Sequence, residues 1–199
     1  IERDNPTYTF FENDNVPVYF FMSIIVALFM GLTVSAEEIF RDRKILKRER
    51  FLNLSKGSYL LSKILILFGL SAIQTATFVI VGNYVLELNG MGIRFWMILF
   101  SCSCFSNMLG LNISASFNSA VTIYILIPLL LIPQLLLSGV VINFDKFNPN
   151  VSTMDGVPLV GEMMASRWAF EAALVTQYKD NKYERIFFNL HKAAADSEY

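Results

Sequence analysis

Residues 37–63 read EEIFRDRKILKRERFLNLSKGSYLLSK, a charged run set between two apolar stretches. It holds eight of the chain's 16 Lys and Arg against four acids. Each flanking stretch is long enough to cross a bilayer, so the basic excess assigns this loop to the cytoplasmic side by the positive-inside rule. The topology of the remaining chain follows from that assignment. Read as a helix, the run sets Ile39 with Leu46 and Ile45 with Leu52 in two apolar rows, and Asp42 and Glu49 fall between them. Arg43, Lys44, Lys47, Arg48 and Arg50 lie mostly on the other side. A helix resting on anionic lipid would instead flank a clean apolar stripe with basic residues, so a protein partner fits better and a lipid-held basic loop is the alternative. Gly57 reads as a helix stop and Ser58 as the N-cap of the next span.

The composition agrees with a membrane protein. Of 199 residues 54% are hydrophobic and 18 are Phe, too apolar for an ordinary soluble domain. Nucleic acid is not an expected partner, because the net charge is only -1 and the basic residues gather in one loop. The acidic stretch before the first span has no basic flank of a signal peptide, and with Ile1 in first place the chain reads as an interior fragment.

In chain order, 1–15 is an outer loop and 16–36 a first span of about 21 residues, roughly 30 Å of helix and so the thickness of the hydrocarbon core. The cytoplasmic segment 37–63 follows, then spans over 64–86 and 95–117. A short turn at Asn118 and Ser119 makes the span 120–142 an antiparallel neighbour of the one before. Pro128 and Pro133 each remove a backbone donor there, which predicts a kink or a locally opened helix. The remainder, 143–199, is an outer segment, and its moderately apolar part from 157 to 175 is interrupted by Glu162, Arg167 and Glu171. A re-entrant or interfacial helix fits that pattern.

The four spans carry no Asp, Glu, Lys, Arg or His. Proton-coupled transport, voltage sensing and intramembrane hydrolysis rest on ionisable groups at depth, so these classes lose weight. Cys102 and Cys104 have no His or further Cys at ligand spacing and read as packing residues, and the single His191 reads as solvated. No phosphate loop of the G-x-x-x-x-G-K-[ST] kind occurs, so the fragment itself is expected to hold no cofactor. Gln74, Asn107, Asn112 and Gln134 suit either a polar path or hydrogen bonds between helices.

Three stretches resemble the membrane domain of ATP-binding-cassette exporters of the G-subfamily, or white-brown type. They are Asp42-Arg43-Lys44-Ile45-Leu46-Lys47-Arg48-Glu49 with the later Ser58-Tyr59-Leu60-Leu61-Ser62-Lys63, then Leu137-Ser138-Gly139-Val140-Val141-Ile142-Asn143, and Ser166-Arg167-Trp168-Ala169-Phe170-Glu171-Ala172. The resemblance implies an all-α integral membrane protein in which the four spans are the second to fifth of six transmembrane helices. It implies that residues 37–63 hold an amphipathic coupling helix acting through Asp42, Arg43, Arg48 and Glu49. It further implies a substrate cavity walled by Ala27, Met30, Ile132 and Leu135, with an outer gate at Val140 and Val141. The expected partners are an upstream nucleotide-binding domain in the same chain, carrying ATP and Mg, and a second permease half in a homodimer. The expected cargo is a lipid or small amphipathic molecule exported across a plasma membrane. The outer segment lacks the cysteines of many animal members, which fits a bacterial inner membrane. A polytopic scaffold or assembly factor without transport is the competing reading.

Overall fold

The computed structural model describes residues 15–49, 55–86, 88, 90–141, 159–179 and 185–197, and among these every regular element is a helix. In chain order they are α1 (Asn15–Ala36), α2 (Glu38–Glu49), α3 (Lys56–Leu86), α4 (Gly92–Ser116), α5 (Ala120–Leu136), α6 (Leu159–Glu162), α7 (Ala165–Tyr178) and α8 (Arg185–Ser197). Among the described residues three helical stretches are long and apolar enough to cross a bilayer: the one that begins with α1, then α3 and α4. The 17-residue α5 is apolar but shorter.

Among the described residues the pair α1·α4 makes the most extensive contact, and α3 packs on α4 beside it. The pairing begins with small side chains four apart on α1: Ser23, Ala27, Gly31 and Ser35 are all buried on one face. Opposite them α4 presents Ser103, Ser106, Gly110 and Ser114, also buried. A Cβ added to Gly31 would lie 2.7 Å from the Ser103 carbonyl oxygen, and one added to Gly110 would lie 2.9 Å from the Leu32 carbonyl oxygen. Glycine at both places lets the backbones meet. The Ser106 hydroxyl then donates to the Leu28 carbonyl at 2.6 Å.

On its other side α4 is joined to α3 by polar groups. Ser103 Oγ lies 2.9 Å from Ser71 Oγ, and the Asn107 amide donates to Ser71 Oγ at 2.8 Å. The Trp96 indole N–H donates to the Ala72 carbonyl at 3.1 Å. Aromatic packing closes the end of the bundle away from α2, where the Phe20 and Phe95 ring centroids are 4.9 Å apart and Phe21 meets Phe170 of α7 edge-on at 5.9 Å.

Three local expectations are corrected. Gly57 does not stop a helix; it lies in the first turn of α3, which Ser55 caps by accepting the Ser58 N–H at 3.4 Å, and the helix therefore starts at Lys56 rather than after a cap at Ser58. The short link at 117–119 does not make α4 and α5 close neighbours, because Phe117 and Ser119 are extended and direct α5 mainly onto α1. Finally, α5 stays helical through Pro128 and Pro133 but ends at Leu136, and Gly139 with φ 82° turns the chain immediately afterwards. Residues 142–158, which include the end of the expected fourth span and Asp155, lie outside the described residues.

Replacing Gly110 with Leu should force α1 from α4 and cost about 1 to 3 kcal/mol, as overpacked sites do. Gly69→Leu is the control, since nothing lies within 4 Å of a Cβ there. Thermal melting in detergent, followed by size-exclusion profile, should show a lowered transition for Gly110→Leu and an unchanged one for Gly69→Leu.

Candidate functional site

Helix α2 follows α1 after a break at Glu37 and docks across one end of the bundle. Its acids decide which face turns inward. Lys63 Nζ lies 2.7 Å from Glu38 Oε2 and 2.8 Å from Asp42 Oδ2, and the Tyr59 hydroxyl donates to the same Asp42 oxygen at 3.0 Å. The Lys63 ammonium holds the Asp42 carboxyl below its ordinary range, with Tyr59 adding to the effect.

The same helix is fixed to α4 by groups that helix ends leave unpaired. The Arg43 guanidinium donates to the Ala115 carbonyl at 2.7 Å and the Ser114 carbonyl at 3.1 Å, in the last turn of α4. It also bonds the Asn118 side chain. Near the start of α2 the Phe40 N–H donates to Ser114 Oγ at 2.8 Å, and the Tyr124 hydroxyl of α5 bonds the Glu37 carboxylate. Ile39 is buried with Leu67 and Leu111 beneath these bonds. Helix α2 is thus tied by charged or polar bonds to α3 and α4, and the Glu37 break just before it to α5.

This geometry divides the residues that the sequence grouped as one coupling set. Asp42 and Arg43 face the bundle and hold α2 in place. Arg48 is exposed together with Arg41, Lys44, Lys47 and Ile45, which is 54% exposed. Glu49 is the last residue of the helix; its side chain lies outside the described residues. The acid-bearing face therefore docks on this chain's own bundle, and the face left open is basic. Lys63 and Tyr59 were missed as anchors, although Glu38 and Asp42, four apart, were a visible signal for a facing cation.

The cavity residues fall on two adjacent grooves along α1. Ala27 and Met30 border a groove of about 430 Å³ between α1, α3 and α4, where Ser23, Gln74, Thr75, Thr77 and Ser103 add polar groups to the apolar wall. Ile132 and Leu135 border a groove of about 480 Å³ between α1 and α5, with Phe29 and Pro128. Val26 lines both. Ala27 itself is 7% exposed and belongs to the core. Beyond α5, Ser138 Oγ donates to the Leu135 carbonyl at 2.9 Å and accepts the Val140 N–H at 3.3 Å; Val140 is half-buried and Val141 exposed. The polar residues of the spans separate as well: Asn107 bonds α3, Asn112 its own helix, and Gln134 accepts the Ser166 N–H of α7 at 3.1 Å.

A helical membrane bundle that carries a short, charged helix pinned across the ends of its spans is the arrangement expected of a transporter's permease part. Residues 5–178 match the model of the ABC-2 type transporter family, and the chain belongs to that family. It is also 26% identical over 178 residues to the ABC transporter G family member STR of Petunia hybrida, in agreement with the G-subfamily resemblance of the three motifs. That match takes in 87% of this chain and 20% of the relative, so the chain spans about a fifth of the relative's length. No solved structure matches the chain.

Replacing Lys63 with Met should leave Glu38 and Asp42 without their cation and loosen α2. Hydrogen exchange of α2 amides should speed up, and a double-mutant cycle of Asp42→Asn with Lys63→Met should return a coupling of about 1 kcal/mol, at the upper end for partly exposed pairs. Because the Asp42 carboxyl is depressed, its contribution is present above the ordinary carboxylate pKa of about 3.9 and is lost as pH falls through the depressed value.

Proposed function

We propose that this chain is the permease part of an ATP-driven exporter that moves an apolar or amphipathic substrate, with α2 as the element that receives motion from an ATPase domain. The observation that carries it is the division of α2 into a face locked to the bundle and an open basic face. A helix fixed to α3 and α4 passes a displacement to both, whereas a loop held only by lipid would absorb it. On this reading Arg41, Lys44, Lys47 and Arg48 meet the nucleotide-binding domain on the cytoplasmic side, and Asp42 and Arg43 act as positioning residues behind them. ATP and Mg are bound by that domain, upstream in the same protein.

The two grooves on α1 serve the cargo. The groove against α5 is walled by apolar side chains alone, the one against α3 and α4 by apolar and uncharged polar side chains in equal measure, and neither carries a charge, so together they suit an amphipathic molecule better than an ion. In a homodimer the grooves of the two halves, with Ala27, Met30, Ile132 and Leu135, form one path, and Val140 and Val141 close its outer end. The protein is then a multi-pass component of a plasma membrane, the inner membrane if the source is bacterial.

Two experiments test this. In the complete, reconstituted transporter, Lys47→Glu with Arg48→Glu should lower substrate-stimulated ATP hydrolysis about fivefold or more, as for roughly 1 kcal/mol or more lost at an interface; unchanged stimulation would return the open face to lipid binding or to a scaffold role. Cysteine at Lys47 should be closed to an impermeant thiol reagent in intact cells. Separately, Val26→Phe should block transport with folding retained, since Val26 is 43% exposed and borders both grooves. Ala27→Phe should lower folded yield instead, because Ala27 is part of the core. Normal transport by a well-folded Val26→Phe protein would remove both grooves from the path.

A further inference from the structure

A third groove, of about 670 Å³, runs between α4 and α7, on the side of the bundle that the proposed path does not use. Along α4 it is lined by Arg94, Met97, Cys102 and Phe105, spaced so that they share one face of the helix. Trp168 and Ala172 of α7 form the facing wall. From Arg94 to Phe105 the helix rises about 16 Å, close to half of the roughly 30 Å hydrocarbon core.

The ends of the groove differ in kind. Arg94 stands in the first turn of α4, exposed, at the end of the helix opposite to the turn that Arg43 caps. Below it the α4 lining down to Phe105 is apolar save for Ser101, whose hydroxyl is turned to its own helix and donates to the Met97 carbonyl at 2.9 Å. A bilayer lipid has this distribution: a charged head at the interface and a chain one leaflet long. A substrate path or a helix contact needs no cation at one end and no such length.

We infer that the α4·α7 groove is a binding site for one acyl chain of an anionic phospholipid, whose phosphate pairs with Arg94 at the membrane surface. Trp168, 53% exposed and held by its indole N–H on the Glu162 carbonyl at 2.7 Å, forms a flat wall for the chain. Ala172 leaves the width that the chain fills. The bound lipid bridges a spanning helix and the outer helix, and so sets where α7 lies.

The test is photo-crosslinking in vesicles of phosphatidylcholine that contain equal small fractions of chain-diazirine phosphatidylglycerol or chain-diazirine phosphatidylcholine, with adducts mapped by peptide mass spectrometry. The wild-type protein should carry adducts on the α4 and α7 groove peptides with about fivefold preference for the anionic lipid, the factor expected for one basic residue near a membrane surface. Arg94→Gln should bring the two lipids to parity at this site. Ala172→Phe should reduce groove adducts from both lipids and leave those on α3 unchanged. Equal labelling of the wild type, a preference that survives Arg94→Gln, or no adducts in the groove would overturn the assignment, the last pointing to a protein segment as occupant.

Discussion

The backbone contact between α1 and α4 is the constraint on which the bundle depends. Inside a bilayer, helices gain nothing from leaving the solvent, since lipid tails are as apolar as their side chains; association must come from close packing and from polar bonds. The buried run of Ser23, Ala27, Gly31 and Ser35 against Ser103, Ser106, Gly110 and Ser114 supplies both. With α1 and α4 in register, α3 is placed by Ser71 and Asn107, α5 by the remaining face of α1, and α7 by the aromatic residues at the far end. Even the seat of α2 derives from this contact, because Ser114 and the carbonyl groups that Arg43 caps are the last turn of the same α4.

The seat of α2 also shows how a charged helix can serve two partners. Its inward face is satisfied by one lysine, one tyrosine and the end of a helix, so it needs no outside group to stay ordered. The open face is then available to a binding partner without a cost in ordering at the moment of contact. Pre-organisation of this sort suits an element that must pass on small movements, since none is lost in folding it.

Hydropathy alone made the spans legible, and the charge run at 37–63 marked α2. What the sequence concealed has specific causes. The start of α3 was placed just after Ser58 because Gly57 reads as a stop and Ser58 as a cap, whereas Ser55 is the cap and Gly57 sits inside the first turn. The end of α5 was read too far on because Val140, Val141 and Ile142 prolong the apolar run past Ser138-Gly139, where the backbone turns. The acids on α2 were seen to lie on the docking side, but their partner Lys63 is on another helix, and spacing within one helix cannot reveal it. The small-residue run on α1 passed unremarked amid Phe, Ile and Leu, although its four-residue period was present. Ala27, read as cavity wall, belongs to that run.

The polar content of α4 bears on how the bundle is assembled in the first place. With a mean hydropathy of 1.3, against 2.2 for the stretch that begins with α1 and 2.3 for α3, it is the least apolar of these three spans. Ser103 and Asn107 bond α3 and Ser106 bonds α1, so the buried polar groups at its helix contacts have their partners on helices made earlier in synthesis. When α4 emerges from the ribosome both walls of its slot are already in the membrane. The order of helices along the chain thus doubles as an insertion schedule, in which the least lipophilic member arrives only once a protein environment awaits it.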